Sequence, residues 1–380
     1  MMSQRSKREL VATIRPRYLK ANKAGKAHIL DELIATTGYH RKSAIRVLQH
    51  GSKPKGLKKP GRQKIYQGEV VQVLEQIWEI CGRICSKRLQ PFLPEMVTIL
   101  ERHHELCLSA QTQALLLSMS RATIDRCLKK ARFTHPQHGL STTKPGALLK
   151  QAIPIRTFTP WEDEHPGFLE IDLVAHCGST NEGTYLNTLT ATDLATGWTE
   201  CLALPNKTQA AVSKAIAQLR LDLPFPLLGL DSDNGSEFIN DTLLRYCQSE
   251  QITFTRSRPY QKNDQAHVEQ KNWSVVRHTI GYDRLETPEE LALLSSIYKD
   301  LRRYINFFQP VLKLVGKERV DSKTVRTYDR ATTPYRRVLA LDSLPLEVKA
   351  RLSAQYVQLN PVTLRANIDA MVAKLWKIVR

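Results

Sequence analysis

Three acidic residues sit where the chain could build a centre for phosphoryl chemistry. Asp172 lies inside the strand-like run FLEIDLVAH (Phe168–His176), and Asp233 ends the apolar run Leu227–Asp233 just before Gly235. Glu269 falls in a segment of helical periodicity, Asp264–Ile280, that also carries Ala266, Val268, Val275 and Val276. Neighbouring strands bring their carboxyl ends together, and a helix crossing that edge adds a third carboxylate. Hard oxygen donors with room left for substrate phosphate suit Mg²⁺ or Mn²⁺, and two such ions about 4 Å apart activate an attacking oxygen and stabilise a leaving one.

Other acids compete for these roles. Asp231, two residues before Asp233 and so on the same strand face, is its rival. Glu170 shares a face with Asp172 and reads as a ladder or supporting residue. Asp193, before Ala195-Thr196-Gly197, reads as a turn residue, and Glu237, placed at a helix start, is explained by the helix dipole.

The elements that must position the three acids follow from periodicity. Phe168–His176, Thr184–Leu194 and Trp198–Leu204 read as an antiparallel meander. Then come a helix (Gln209–Leu221), a buried strand (Leu227–Asp233), a helix (Glu237–Gln248), a short strand (Ile252–Thr255), the Glu269 helix and a long closing helix (Glu289–Phe308). This order predicts an α/β core with a mixed five-stranded sheet flanked by helices.

LEIDLVAHCG (Leu169–Gly178), LDSDNGSEF (Leu230–Phe238) and RPYQKNDQAHVEQKNWSVVR (Arg258–Arg277) resemble the catalytic core of bacterial insertion-sequence transposases of the retroviral-integrase superfamily. In that superfamily an Asp, Asp, Glu triad has about thirty-five residues between its second and third acids; here 35 positions separate Asp233 from Glu269. The resemblance covers roughly 166–310. It implies a ribonuclease-H-like core, with Asp172, Asp233 and Glu269 as catalytic residues and as ligands of two Mg²⁺ (or Mn²⁺) ions. It also implies that Lys271, Asn272 and Arg277 on the Glu269 helix, and Lys262 and Asn263 before it, contact DNA.

Charge points to the same partner. The 380 residues carry 56 Lys and Arg against 37 Asp and Glu, a net charge of +19, which calls for a polyanion. Residues 1–65 hold a surplus of 14 positive charges, residues 310–380 a surplus of 8, and residues 166–285 a deficit of 4. Basic ends that grip DNA and an acidic middle that collects carboxylates for metal account for this distribution.

In the N-terminal region, Ile29, Leu30, Leu33 and Ile34 share a helical face, Thr36-Thr37-Gly38 interrupts, and Ala44, Ile45 and Leu48 resume the spacing. That pattern predicts an all-α helix-turn-helix domain over 1–50, with Arg41, Lys42 and Arg46 of its second helix facing DNA. Residues 51–67 are a basic linker, and 68–133 a second helical DNA-binding unit in which Ser120 caps a helix bearing Arg121 and Arg126. Residues 134–165, with four prolines, are a second linker; 166–310 are the core, and 311–380 a basic C-terminal region whose fold the pattern does not specify.

Cys81, Cys85, His103, His104 and Cys107 match no common zinc-finger spacing. The seven cysteines, odd in number and scattered, suit reduced thiols. With no apolar run of about 18 residues, a cytoplasmic, nucleoid-associated protein without membrane contact is expected.

The function expected is therefore metal-dependent 3′-end cleavage and strand transfer of an insertion-sequence element by a polynucleotidyl transferase. Its partners would be double-stranded DNA, as element ends and as target, and further copies of itself. Two alternatives are a DNA-binding regulator with an inactive core, and a nuclease that cuts without joining.

Overall fold

The computed structural model describes residues 2–51, 65–134, 165–233, 235, 237–257, 266–320 and 323–379. The chain forms two compact units, Met1–Ile65 and Tyr66–Arg380.

The first unit has three helices: α1 (Gln4–Lys20), α2 (Lys23–Thr37) and α3 (Arg41–His50). α2 stops at Gly38, whose left-handed φ of 68° lets its N–H cap the Ile34 carbonyl. The break at Thr36-Thr37-Gly38 is thus a helix end followed by a short turn. Val11, Tyr18, Ile29, Leu30, Leu33, Ala44 and Leu48 close a small core. α1 was not evident in the apolar spacing, because it is strongly polar and carries Pro16 in its interior.

The second unit begins with α4 (Glu69–Ile80), α5 (Ser86–Arg102), α6 (Ala110–Leu117) and α7 (Arg121–Cys127), the last capped by the Ser120 hydroxyl as expected. Five strands follow, β1 (Phe168–Ala175), β2 (Asn187–Asp193), β3 (Thr199–Leu204), β4 (Gly229–Ser232) and β5 (Thr253–Arg256), with α8 (Gln209–Asp222) and α9 (Asp241–Ser249) between the later ones. The sheet order is β3-β2-β1-β4-β5. β1, β2 and β3 pair antiparallel, while β1, β4 and β5 run parallel, so this is the mixed, ribonuclease-H-like sheet the sequence implied.

Beyond the sheet lie α10 (Ala266–Lys271), a π-helical turn (Asn272–Arg277), α11 (His278–Ile280) and α12 (Pro288–Phe308). Thr287 and Glu290 form a reciprocal capping box that starts α12. The C-terminal region is a two-stranded ribbon, β6 (Leu314–Val320) with β7 (Lys323–Tyr328), and three helices, α13 (Pro334–Leu339), α14 (Leu346–Gln358) and α15 (Pro361–Val379).

Residues of α4, α5, the sheet, α12 and α15 share one apolar core. The Tyr304 hydroxyl donates to the Ile80 carbonyl at 2.7 Å and the Gln309 amide to the Cys81 carbonyl at 2.8 Å. The helices of 69–128 therefore pack as part of one body with the sheet. No helix among the described residues is long and apolar enough to cross a membrane.

Candidate active site

The site forms where β4 ends and its parallel pairing with β1 stops, at Ile171 and Ser232. Alternation along β1 puts Glu170 and Asp172 on one face. Asp172 is held from both sides: the Leu173 N–H donates to Oδ1 at 2.8 Å, and the Asn272 amide donates to Oδ2 at 2.6 Å. Asp233 leaves β4 in the next residue, and its Oδ1 accepts the Gly235 N–H at 2.8 Å. A Cβ at Gly235 would lie 2.7 Å from the Glu237 carboxyl carbon and 2.8 Å from Asp233 Oδ1, so any side chain there would push the two carboxylates aside.

Burial and mutual repulsion set the electrostatics. The Asp172 carboxyl is pushed up to about 7, first by desolvation, then by the charge of Asp233, with Glu269 adding to it. The two hydrogen bonds oppose this rise. Asp233 is also raised by burial and by the Glu237 charge, against the Gly235 N–H and the Lys207 ammonium. Among the charges acting on Asp172, that of Asp233 is the largest. Asp231 is fully buried and takes a 2.6 Å hydrogen bond from the Thr255 hydroxyl on β5, which fixes it inside the sheet.

Glu269 is exposed on α10. Among the described residues, no three His, Cys, Asp or Glu side chains form a closed cluster able to grip a metal ion. Around Asp172 lie the charges of two further acids, Asp233 just past the end of β4 and Glu269 on α10, each close enough to raise its carboxyl.

Glu170 sets where that glutamate stands. It is 1% exposed, and its Oε2 accepts both the His267 and the Val268 N–H at 3.0 Å. Those are orphan donors of the first turn of α10, so a carboxylate on β1 anchors the helix that carries Glu269. Glu170 pairs with Asp231 in the parallel register of β1 and β4.

The helix and turn that carry the remaining candidates are tied closely to the sheet. Asn272 shares a helical face with Glu269 but is turned to Asp172 rather than to an outside partner. Lys271, two residues after Glu269, points inward, where burial and the Arg88 charge push its ammonium down to about 7. The Arg277 guanidinium donates to the Ala175 carbonyl at 2.7 Å and lies over the Tyr282 ring, tying the π-helical turn to the end of β1. Glu237 precedes α9 in a turn, with Asn240 as the helix cap, and faces Asp233. Asp193 is a turn residue as expected: it accepts from Thr196 N–H and hydroxyl and from Gly167 N–H.

Lys262 and Asn263 lie outside the described residues. Arg41 is ion-paired with Asp31 on α2, while Lys42 and Arg46 are exposed on α3 opposite the buried Ala44 and Leu48. Arg121 is exposed at the start of α7, and Arg126 folds back to the Ala122 carbonyl and the Thr123 hydroxyl. The anchoring by Glu170 and the field of Lys207 were missed. The available signal was the alternation Glu170-x-Asp172, which puts two acids on one strand face with no basic residue beside them.

The chain matches the family model for the integrase core domain over residues 162–262, a span holding Asp172 and Asp233 and ending short of Glu269. It is 41% identical over 339 residues to the uncharacterised protein y4rM of Sinorhizobium fredii, an alignment covering 88% of this chain and 96% of that protein. Among solved structures, it resembles the catalytic core domain of HTLV-2 integrase in complex with magnesium, with 15% identity, 38% of this chain and 90% of that one covered and a TM-score of 0.29. The catalytic core domain of BIV integrase matches with 18% identity, 45% and 91% coverage and a TM-score of 0.29. The chain thus carries an integrase core domain over residues 162–262 and belongs to one family with the Sinorhizobium fredii protein y4rM.

Proposed function

We propose that the protein is a DNA transposase that cleaves the 3′ ends of an insertion-sequence element and joins them to target DNA. The observation that carries this reading is the placement of Asp172 and Asp233 one residue beyond the last β1–β4 pair, Ile171 with Ser232, inside the span matched by the integrase core model, with desolvation and repulsion raising both carboxyls. Negative charges forced together in this way favour a hard divalent cation.

The donor set fits Mg²⁺ or Mn²⁺ in chemistry and charge, and Asp172, Asp233 and Glu269 would hold the ions. Magnesium is named in the description of the HTLV-2 integrase core. When bound, such ions supply Lewis-acid activation of the attacking oxygen and stabilisation of the departing one.

The chain's own residues do the positioning. Asn272 and the Leu173 N–H orient the Asp172 carboxylate, Gly235 orients Asp233, and Glu170 sets the start of α10 so that Glu269 is offered on the same side. In the first step water attacks the phosphodiester at the element end and the 3′ oxygen takes up a proton. In the second, that 3′-hydroxyl attacks a target phosphate in line, and the target's own 3′ oxygen leaves. No covalent enzyme intermediate is needed.

Recognition of the element ends belongs in this reading to α3, through Lys42 and Arg46, and to α7, through Arg121. Because two ends are joined, the working form is a multimer on double-stranded DNA.

Asp233→Asn tests the assignment. It should abolish strand joining with labelled end DNA and Mg²⁺, while end binding stays within a few fold. Retained joining would refute the role of Asp233, and cutting by the parent protein without joining would make it a nuclease.

A further inference from the structure

Beside the edge strand β3 lies a cavity of about 940 Å³ that none of the three acids lines. Its floor is β3 itself, where Leu202 and Leu204 alternate onto one face. One wall is α8, which presents Ala211, Lys214, Ala215 and Gln218, a single helical stripe at i, i+3, i+4 and i+7. The other wall is α12, with Leu291, Ser295, Lys299 and Arg302 recurring every third or fourth residue. The short side chains of Ala211 and Ala215 leave the space between the walls open. Leu352 of α14 and Phe307 at the end of α12 complete the apolar lining.

The charges around this apolar interior do not balance. Two acids line it, Glu200 and Asp222, and both are already answered. Glu200 is 3% exposed and accepts from the Trp198 indole and the Arg302 guanidinium, each at 2.7 Å; the same guanidinium lies 3.7 Å from Asp222. Arg303 pairs with Asp300. Lys214 on α8, Lys299 on α12 and Arg351 on α14 remain. All three are exposed, and none has an acidic partner among the described residues. Three separate elements thus each bring one unmatched cation to the same cavity. Leu221, also on its lining, keeps a leucine side chain 79% exposed.

Size and chemistry together select a ligand. Small-molecule sites run to about 300–1,000 Å³ and are mostly apolar, with a few polar groups that fix orientation. An apolar body suits the leucines and alanines of the floor and walls. An anionic head answers the unmatched cations, whereas a cationic ligand would meet them as like charges.

We infer that this cavity binds an amphiphilic carboxylate, its hydrocarbon body on Leu202, Leu204 and Leu352 and its head held among Lys214, Lys299 and Arg351. The site is separate from the carboxylate centre and does not depend on the transposase reading.

The full-length protein, in EDTA, is titrated with the anionic dye 8-anilinonaphthalene-1-sulfonate and, separately, with the uncharged N-phenyl-1-naphthylamine, and dye fluorescence is read. The anionic dye should bind and be displaced by decanoate but not by decanol at equal concentration. An exposed ion pair is worth up to about fivefold in affinity. Losing two in Lys214→Ala/Lys299→Ala should therefore raise the dissociation constant of the anionic dye by about tenfold and change that of the uncharged dye by less than about twofold. Ala211→Phe fills the space and keeps every cation, and should weaken both dyes. Unchanged binding of the anionic dye in the double-alanine protein overturns the inference, as does displacement by decanol as effective as by decanoate. Parent-like binding of both dyes to Ala211→Phe would place them elsewhere and refute the assignment. Anionic-dye binding that vanishes as the protein is concentrated would also overturn it, because a second copy would then cover the cavity.

Discussion

Removing the Glu170 carboxylate should unmoor the helix that carries Glu269. Glu170 Oε2 takes two backbone N–H groups at 3.0 Å in a position 1% exposed, so Glu170→Ala leaves two buried donors without their acceptor. Hydrogen bonds to a charged group are worth about 1.5–3 kcal/mol each, so the pair contributes on the order of 3 kcal/mol or more. Unfolding entropy near 2.1 cal/mol/K per residue makes 1 kcal/mol worth about 1.5 °C in a unit of this size, which predicts a drop in Tm of roughly 5 °C. Glu170→Gln keeps an acceptor oxygen but not its charge, and should lose about half as much.

The effect on chemistry should be larger than the effect on stability. A displacement of about 1 Å at a reacting centre costs on the order of a hundredfold. Strand joining should therefore fall by roughly that factor in the alanine variant, with end binding unchanged, and the Mg²⁺ or Mn²⁺ concentration for half-maximal joining should rise. Hydrogen–deuterium exchange at His267 and Val268 gives a readout independent of activity, and protection there should be lost in Glu170→Ala and largely kept in Glu170→Gln. Wild-type protection of those two amides in the alanine protein, together with joining within twofold of the parent, would refute the anchoring role.

The raised Asp172 carboxyl carries a pH signature. Between the ordinary carboxylate range and about 7 the folded chain binds a proton that the unfolded chain has released, so without divalent ions stability should fall as pH rises through this window and level off above it. Asp172→Asn should flatten that dependence and raise Tm in EDTA at pH 7.5, while abolishing the Tm increase that Mn²⁺ gives the parent; equal Tm values for both proteins would contradict the burial argument. Asn306→Ala should orphan both the N–H and the carbonyl of Thr199, which it now satisfies at 2.9 and 2.8 Å in a fully buried position, and cost about 2–5 kcal/mol in a denaturant titration. Arg284→Ala removes a guanidinium that donates to the carbonyls of Cys177, Thr180, Glu182 and Thr184; proteolysis within 177–184 should accelerate severalfold while the sheet's circular dichroism stays intact.

What the sequence could specify and what it could not divide along a physical line. The meander, the parallel strands and their crossover helices were legible because each buries one face or two, and burial writes itself as period: Ile171 and Leu169 alternate with the acids of β1, and Val212, Ile216 and Leu219 recur along α8. Asp172 and Asp233 stood out because a carboxylate at the end of an apolar run is costly to bury without a purpose. The ribbon β6–β7 left no such trace, since an element exposed on both faces has no apolar period to display. The directions of Lys271, Asn272 and Arg277 were not legible for a related reason. Sequence places them on a helix, but their direction is set by what the sheet offers: Asp172 draws Asn272 inward, the Ala175 carbonyl and the Tyr282 ring draw Arg277, and the π-helical turn from Asn272 changes the spacing an ordinary helix would impose. Glu170 is the sharpest instance. Its partners are two backbone N–H groups about a hundred residues away, and backbone donors carry no side-chain identity that a sequence pattern could reveal.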